Sequence, residues 1–315
     1  MKRNREYLNR WLVAKNVMKK SRGIWITNKA FLLVISGLLV FLFFNLYPIA
    51  YSVYLAFTNA NFYNIMGKYS VIGLENFRKI FFHPNTKFYY SLGRTALFVI
   101  ISVPLKVTFG IALAVLLNSA IIRGRAIFRS LLILPWTLPA VLSILMWRGL
   151  FNMDFGAINK ILMSIGFPAI NWLNDTMNAF IAYNIVEVWL AYPFMMTVIL
   201  AALQSIPPEL YDSAQIDGAG RLQRLRYVTL PLIFRPLWFA TILTSNASFQ
   251  AFLVPYLLNG GGPARTNEFV ILFGYKEAFQ IGEFGYAAAF MVIISLVIMA
   301  FMFIGMKAGR MTGEE

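Results

Sequence analysis

The chain has 315 residues, of which 59% are hydrophobic and 13% charged, with a mean hydropathy of +0.66; soluble domains carry about 25% charged residues, so the composition excludes one and points to several membrane spans. The formal charge of +15 comes from basic residues at the chain start and between apolar runs, a placement that fits topology control and anionic lipid headgroups rather than nucleic acid. There is no cysteine and a single histidine, His83, which excludes disulfides and thiolate sites and leaves no basis to expect a histidine-based metal or catalytic site.

Residues 1–29 form a basic segment with Lys2, Arg3, Arg5, Arg10, Lys15, Lys19, Lys20, Arg22 and Lys29. Tyr7, Leu8, Trp11 and Leu12 sit among these charges, which fits either an interfacial helix or a plain topogenic segment. Apolar runs follow at about 31–57, 95–119, 128–151, 177–203, 230–258 and 286–306. Each is long enough to span a bilayer, which needs roughly 20 residues. The predicted fold class is an all-α membrane protein of about six transmembrane helices. The first run is too long for a signal-peptide core and reads as a retained span. Residues 30–94 hold the first helix and an external loop, 95–306 a core, and 307–315 a tail.

Orientation follows from Lys and Arg placement. Arg123, Arg125 and Arg129, then Arg221, Arg224 and Arg226, then Lys307 and Arg310 fall on the side of the basic N-terminal segment. That side is predicted to be cytoplasmic, with both termini on it.

The connection at 205–229 is the most informative loop. Pro207 and Pro208 suit the first turn of a helix. Glu209 and Asp212 favour the positive end of its dipole, and Gly218 and Gly220 are natural terminators. Local physics alone leaves two readings open: an ordinary helix–helix connection or a coupling element.

Polar groups inside the spans mark a second region of interest. Lys106 lies mid-span after Pro104, and Glu187 mid-span before Trp189. The fifth run carries Thr241, Thr244, Ser245, Asn246, Ser248 and Gln250. Thr244, Ser248 and Ala251 share one helical face, which suits either a pathway lining or interhelical packing. An intramembrane enzyme would need paired carboxylates, a Ser/His pair or a metal motif in the spans. No Gly-rich loop followed by Lys-Ser or Lys-Thr is present, so the chain is expected not to hydrolyse ATP.

Residues 205–231 resemble the EAA loop of ABC-importer permeases. The matching residues are Asp212-Ser213-Ala214, Asp217-Gly218-Ala219, Leu225 and Val228-Thr229-Leu230-Pro231. Asp212 stands for the usual Glu and Ser213 for the usual Ala. Further matches are Gly73-Leu-Glu-Asn-Phe-Arg78, Phe128-Arg-Ser-Leu-Leu-Ile-Leu-Pro135, Gly149-Leu-Phe-Asn152, Trp189-Leu-Ala-Tyr-Pro-Phe-Met-Met196 and Asn259-Gly-Gly-Gly-Pro263. Together these are similar to the MalF-type permeases of carbohydrate ABC importers. The best-known member has two extra N-terminal spans and a large extracytoplasmic insertion, which 58–94 cannot supply.

The resemblance implies a MetI-like fold and a set of partners. These are a second homologous permease subunit (MalG-like), a MalK-like ATPase dimer holding ATP and Mg, an extracytoplasmic solute-binding protein and membrane lipids. No cofactor is implied in this chain. It implies ATPase coupling through Tyr211, Asp212, Ser213, Ala214, Asp217, Gly218 and Ala219. It implies a sugar pathway at Trp136, Ala140, Glu187, Leu190, Ala191, Thr244, Ala247, Ser248 and Ala251. Trp136 offers a stacking face for a pyranose, and Glu187 an acceptor for hydroxyls. Ala140 and Ala251 replace polar residues and Glu187 replaces an amide, so the pocket is not a copy. Another solute, such as a polyol or glycerophosphodiester, is the alternative cargo. Glu187 either contacts the solute or pairs with Lys106. As a bare carboxylate it would repel an acidic saccharide and favour a neutral or cationic one.

Overall fold

The computed structural model describes residues 31, 34–84, 86–119 and 123–311. The segment 1–29, with its two readings, and the end of the 307–315 tail lie outside the described residues. The chain divides into two units, Met1–Leu55 and Ala56–Glu315. In the first, the described chain enters one helix, α1 (Val34–Ala56). At 1.5 Å per residue it is about 34 Å long, enough for the hydrocarbon core.

In the second unit the regular structure among the described residues is helical, apart from an isolated antiparallel bridge between Thr58 and Val71. The helices are α2 (Glu75–Phe82), α3 (Phe88–Asn118), α4 (Arg125–Thr137), α5 (Ala140–Leu150), α6 (Ala157–Ser164) and α7 (Thr176–Gln204). After these come α8 (Pro208–Ile216), α9 (Arg221–Phe249), α10 (Leu253–Asn259), α11 (Val270–Lys276) and α12 (Phe284–Met311). Five helices, α1, α3, α7, α9 and α12, are each long and apolar enough to cross a membrane, and α4 with α5 passes that test as a pair.

The third apolar run, expected as one span at 128–151, is not one continuous helix. It breaks between α4 and α5 with a bend of 93°. Leu138 precedes Pro139 and takes an extended conformation (φ −77°, ψ 144°), which the proline ring favours by crowding the helical region of the residue before it. The fifth run also differs. Its helix begins earlier, at Arg221, and stops at Phe249 rather than 258. Phe252 (φ −122°, ψ −52°) separates it from α10. Pro255 lacks the N–H that would otherwise continue the ladder to Ala251.

The centre of the bundle is the pairing of α3 with α7, which runs along much of both helices. Gly110 permits it. A Cβ at that position would lie 2.5 Å from the Cβ of Met195, so only a residue without a side chain lets the two backbones approach so closely. Asp175 starts α7 by accepting hydrogen bonds from the backbone N–H of Met177 (3.0 Å) and Asn178 (2.8 Å), as an N-cap carboxylate does. Buried apolar side chains form three clusters along this axis. One lies among α2, α3, α11 and α12 around Phe88, Phe273 and Phe290. A second joins α3, α5, α7 and α10 around Phe98, Tyr183 and Phe269. The third joins α3, α7 and α9 around Met195, Met196 and Ile233.

Candidate functional site

The connection between α7 and α9 folds into the helix that its prolines predict. Pro207 is the N-cap of α8 and Pro208 its first residue, with Glu209 in the first turn. The end is a Schellman turn: Gly218 N–H donates to the Gln215 carbonyl (3.1 Å) and Ala219 N–H to the Ala214 carbonyl (2.9 Å). Gly218 has φ +79°, and an added Cβ would meet nothing within 4 Å in this chain. Its requirement is thus conformational.

Tyr211 ties α8 to the start of α9, its hydroxyl 3.1 Å from Thr229 Oγ1. Arg224 donates weakly to Gln215 Oε1 (3.4 Å). Asp212, Ser213 and Asp217 are exposed, Ala214 and Ala219 half-buried. Leu210, Ile216 and Tyr227 are exposed large apolar side chains beside them. The segment therefore presents a short helix, closed at its C-terminal end by the Schellman turn, with acidic and apolar side chains exposed.

Three of the polar side chains inside the spans, those of Lys106, Glu187 and Ser248, meet at one point. Lys106 of α3 is fully buried, and its Nζ donates to Glu187 Oε1 of α7 (2.7 Å) and to Ser248 Oγ of α9 (2.7 Å). Ser248 in turn donates to the Thr244 carbonyl (2.8 Å). Three helices are thus tied by one ammonium. The ion pair is electrically neutral as a unit, so the expectation that Glu187 acts as a bare carboxylate repelling acidic saccharides does not hold for this arrangement.

Glu187 keeps a small exposed surface, 13% of its side chain, which opens on a concavity of about 230 Å³. Ala140, Leu190, Ala247 and Ala251 line the same concavity, together with Ile144, Gln250, Phe252, Leu253 and Val254. Sequence reasoning left Gln250 and Phe252 out of the pathway. Gln250 was visible as an amide in an apolar run, while Phe252 depends on where α9 ends. The other expected positions lie elsewhere. Thr244 and Ser248 are buried between helices. Ala191 is half-buried on α7. Trp136 is exposed at the end of α4, its ring 6.1 Å from that of Phe194.

A third polar cluster lies outside the spans, around the Asn259-Gly-Gly-Gly-Pro263 loop. Asn259 donates to the Leu173 carbonyl (2.7 Å) and accepts from the Tyr183 hydroxyl. Asn267 donates to the Thr176 carbonyl (2.9 Å) and accepts from Arg94. These bonds tie the loop to the ends of α3 and α7. Glu268 is buried and holds two cations, Arg265 at 2.7 Å and Lys276 at 2.6 Å, while Arg265 reaches on to Glu277 at 3.1 Å. The hydrogen bond that Arg265 donates to Glu268 raises the guanidinium pKa above its usual value. Burial raises the Glu277 carboxyl pKa, against the opposing pull of Arg265.

Comparison with known proteins agrees with this architecture. The family model described as binding-protein-dependent transport system inner membrane component matches residues 106–308. The galactooligosaccharides transport system permease protein GanP of Bacillus subtilis is 34% identical over 280 residues, covering 85% of this chain and 67% of that protein. The trehalose/maltose transport system permease protein MalF of Thermococcus litoralis is 34% identical over 241 residues, covering 76% and 80%. The maltose/maltodextrin permease MalF of Escherichia coli is 35% identical over 252 residues, but only 49% of that protein is covered. A chain from the crystal structure of a bacterial ABC transporter involved in the import of the acidic polysaccharide alginate superposes with a TM-score of 0.81, covering 95% of this chain and 100% of that one. At 21% identity that likeness is one of fold.

The chain belongs to the family of binding-protein-dependent transport system inner membrane components. It is a membrane permease subunit of a binding-protein-dependent ABC importer, a transport subunit rather than an enzyme.

Proposed function

We propose that this permease imports a sugar or short oligosaccharide, and that the concavity at Glu187 is part of its pathway. The observation that carries the reading is the concavity's lining. Ala140, Glu187, Leu190, Ala247 and Ala251, which come from three separate stretches of sequence, open on one space. They are positions to which the MalF-type resemblance assigns sugar contact. The named relatives at 34–35% identity are permeases for galactooligosaccharides, trehalose/maltose and maltodextrin, and this supports the substrate class.

In this reading the chain pairs with a second, MalG-like permease subunit and a MalK-like ATPase dimer that holds ATP and Mg. Both termini and α8 lie in the cytoplasm, as the placement of Arg123, Arg125, Arg129, Arg221, Arg224 and Arg226 favours. The helix α8 enters a cleft of the ATPase through Tyr211, Asp212, Ser213, Ala214, Asp217, Gly218 and Ala219. Closure of the ATPase dimer moves α8, and the helix bundles rock as bodies about a site within the membrane.

The test is reconstitution of the chain with its second permease subunit, ATPase and binding protein in vesicles. Uptake of a labelled neutral oligosaccharide, dependent on ATP and on the binding protein, is the expected result. ATP-dependent uptake of a non-carbohydrate solute, with no sugar transported, would refute the substrate class.

A further inference from the structure

Lys106 does not line the concavity, and it is the most deeply buried charge of the membrane site. Its effect on the concavity is exerted through Glu187. One carboxylate oxygen, Oε1, is occupied by the ammonium at 2.7 Å. The other, Oε2, has no hydrogen-bond partner among the described residues, and the side chain's exposed fraction faces the concavity. Ser248 Oγ accepts a second hydrogen bond from the ammonium and itself donates to the Thr244 carbonyl. The carboxylate is therefore held in one orientation beside a compensating charge, which offsets part of the cost of burying either group alone.

The second polar group of the concavity is arranged in the same sense. Gln250 donates its amide Nε2 to Asn246 Oδ1 at 2.9 Å, so its carbonyl Oε1 is the atom left for a solute. Both polar side chains of the lining thus offer acceptor oxygens, and each is oriented by a partner that holds its other atom. The remaining lining residues are aliphatic apart from Phe252, which adds an aromatic face. A pair of fixed acceptors beside apolar walls suits a neutral solute rich in hydroxyl donors. An acidic sugar would find no donor for its carboxylate.

We propose that Lys106 is a specificity-determining positioning residue: it holds Glu187 so that this carboxylate and Gln250 form an acceptor pair for the hydroxyls of a neutral sugar. The inference rests on the sugar-import reading above. It adds what that reading does not contain, namely that the chemistry of the pocket is set by a residue of α3 that never meets the solute.

The experiment compares wild type with Lys106→Met, Glu187→Gln, the double variant Lys106→Met/Glu187→Gln, and the charge swap Lys106→Glu/Glu187→Lys. Each is assembled with its partner permease, ATPase and binding protein in vesicles. Uptake of a neutral oligosaccharide and binding-protein-stimulated ATPase activity are measured side by side. Lys106→Met is expected to lower uptake about tenfold or more, the loss typical of one hydrogen bond to a charged group. The double variant is expected to recover most of that loss, since an uncharged amide needs no counter-charge and still offers an acceptor. The swap keeps the ion pair but presents an ammonium, a donor only, and is expected to stay as low as Lys106→Met while retaining ATPase stimulation.

A swap that restores uptake, or a double variant as impaired as Lys106→Met, would show that Lys106 merely pins helices together and would overturn the proposal. If Lys106→Met fails to assemble, the double variant and the swap decide the matter by the same criteria. Absence of sugar uptake by the wild-type complex would instead overturn the substrate reading, and it is measured before any variant is compared.

Discussion

The turn after α8 allows a conformational requirement to be separated from a contact requirement at Gly218. Its φ of +79° lies in the left-handed region, and a Cβ there would touch nothing within 4 Å of this chain. Gly218→Ala therefore costs about 1–2 kcal/mol from backbone sterics alone, a factor of roughly 5–30 in the population of the turn. Gly218→Asn costs less, because Asn tolerates this region, and Gly218→Val costs more, because a branched side chain resists it. Coupling is read from ATPase co-purification and from stimulation of ATP hydrolysis by the binding protein in reconstituted complexes. If the Schellman turn sets the geometry of α8, coupling ranks Gly above Asn, Asn above Ala and Ala above Val. If Gly218 instead allows an ATPase surface to approach closely, the larger Asn is worse than Ala. Observation of that second order would refute the conformational account, and full coupling in Gly218→Val would refute any role for the turn.

Filling the concavity with Ala247→Phe should abolish sugar uptake while sparing assembly, whereas Trp136→Ala, at a residue outside the lining, should reduce uptake far less; vesicle uptake assays on both variants measure the contrast. Glu268→Ala leaves Arg265 and Lys276 without their buried counter-ion and should destabilise the protein by about 3–5 kcal/mol, seen as a lower unfolding temperature of the detergent-solubilised complex and partly relieved by Glu268→Gln. Single cysteines at Asn174 and Glu283 should label from outside intact cells and one at Gln215 only from inside; external labelling of Gln215 would invert the proposed orientation. Asn259 is unsuitable for such labelling, because its amide brackets Leu173 and Gly262.

Much of this architecture is legible residue by residue. The apolar runs locate α1, α3, α7 and α12, since a bilayer span leaves a long composition signal. Pro207, Pro208 and Gly218 locate α8, because the first two prolines and the last glycine have few other uses in such a loop. The bend at Leu138–Pro139 was available in principle, but a proline within an apolar run also occurs inside intact helices, as Pro104 in α3 and Pro193 in α7 do here. The site was legible in its components and not in its wiring. Lys106, Glu187 and Ser248 each stand out as polar residues in apolar runs. That one ammonium joins the other two depends on how α3, α7 and α9 are rotated, which helical spacing within one segment does not determine. Glu268 was hidden for a different reason. It lies in a loop of ordinary polar composition, where burial comes from the fold and not from the neighbouring sequence.

The helix α7 runs without interruption from Thr176 to Gln204 and leads through a short turn into α8. From Glu187 to its end is about 25 Å at 1.5 Å per residue, so a push delivered at α8 arrives at the carboxylate through a single rod. The rod is also clamped to α3 at two places, by the backbone approach at Gly110 and by the ammonium of Lys106. A stroke that tilts α7 would therefore carry α3 and the Glu187 carboxylate with it as one piece. If α8 couples to the ATPase as proposed, the solute would meet the same carboxylate in both halves of the transport cycle, behind a different doorway. In the proposed reading, release of the cargo would then come from opening a route and from withdrawal of the second permease subunit, rather than from dismantling the pocket itself.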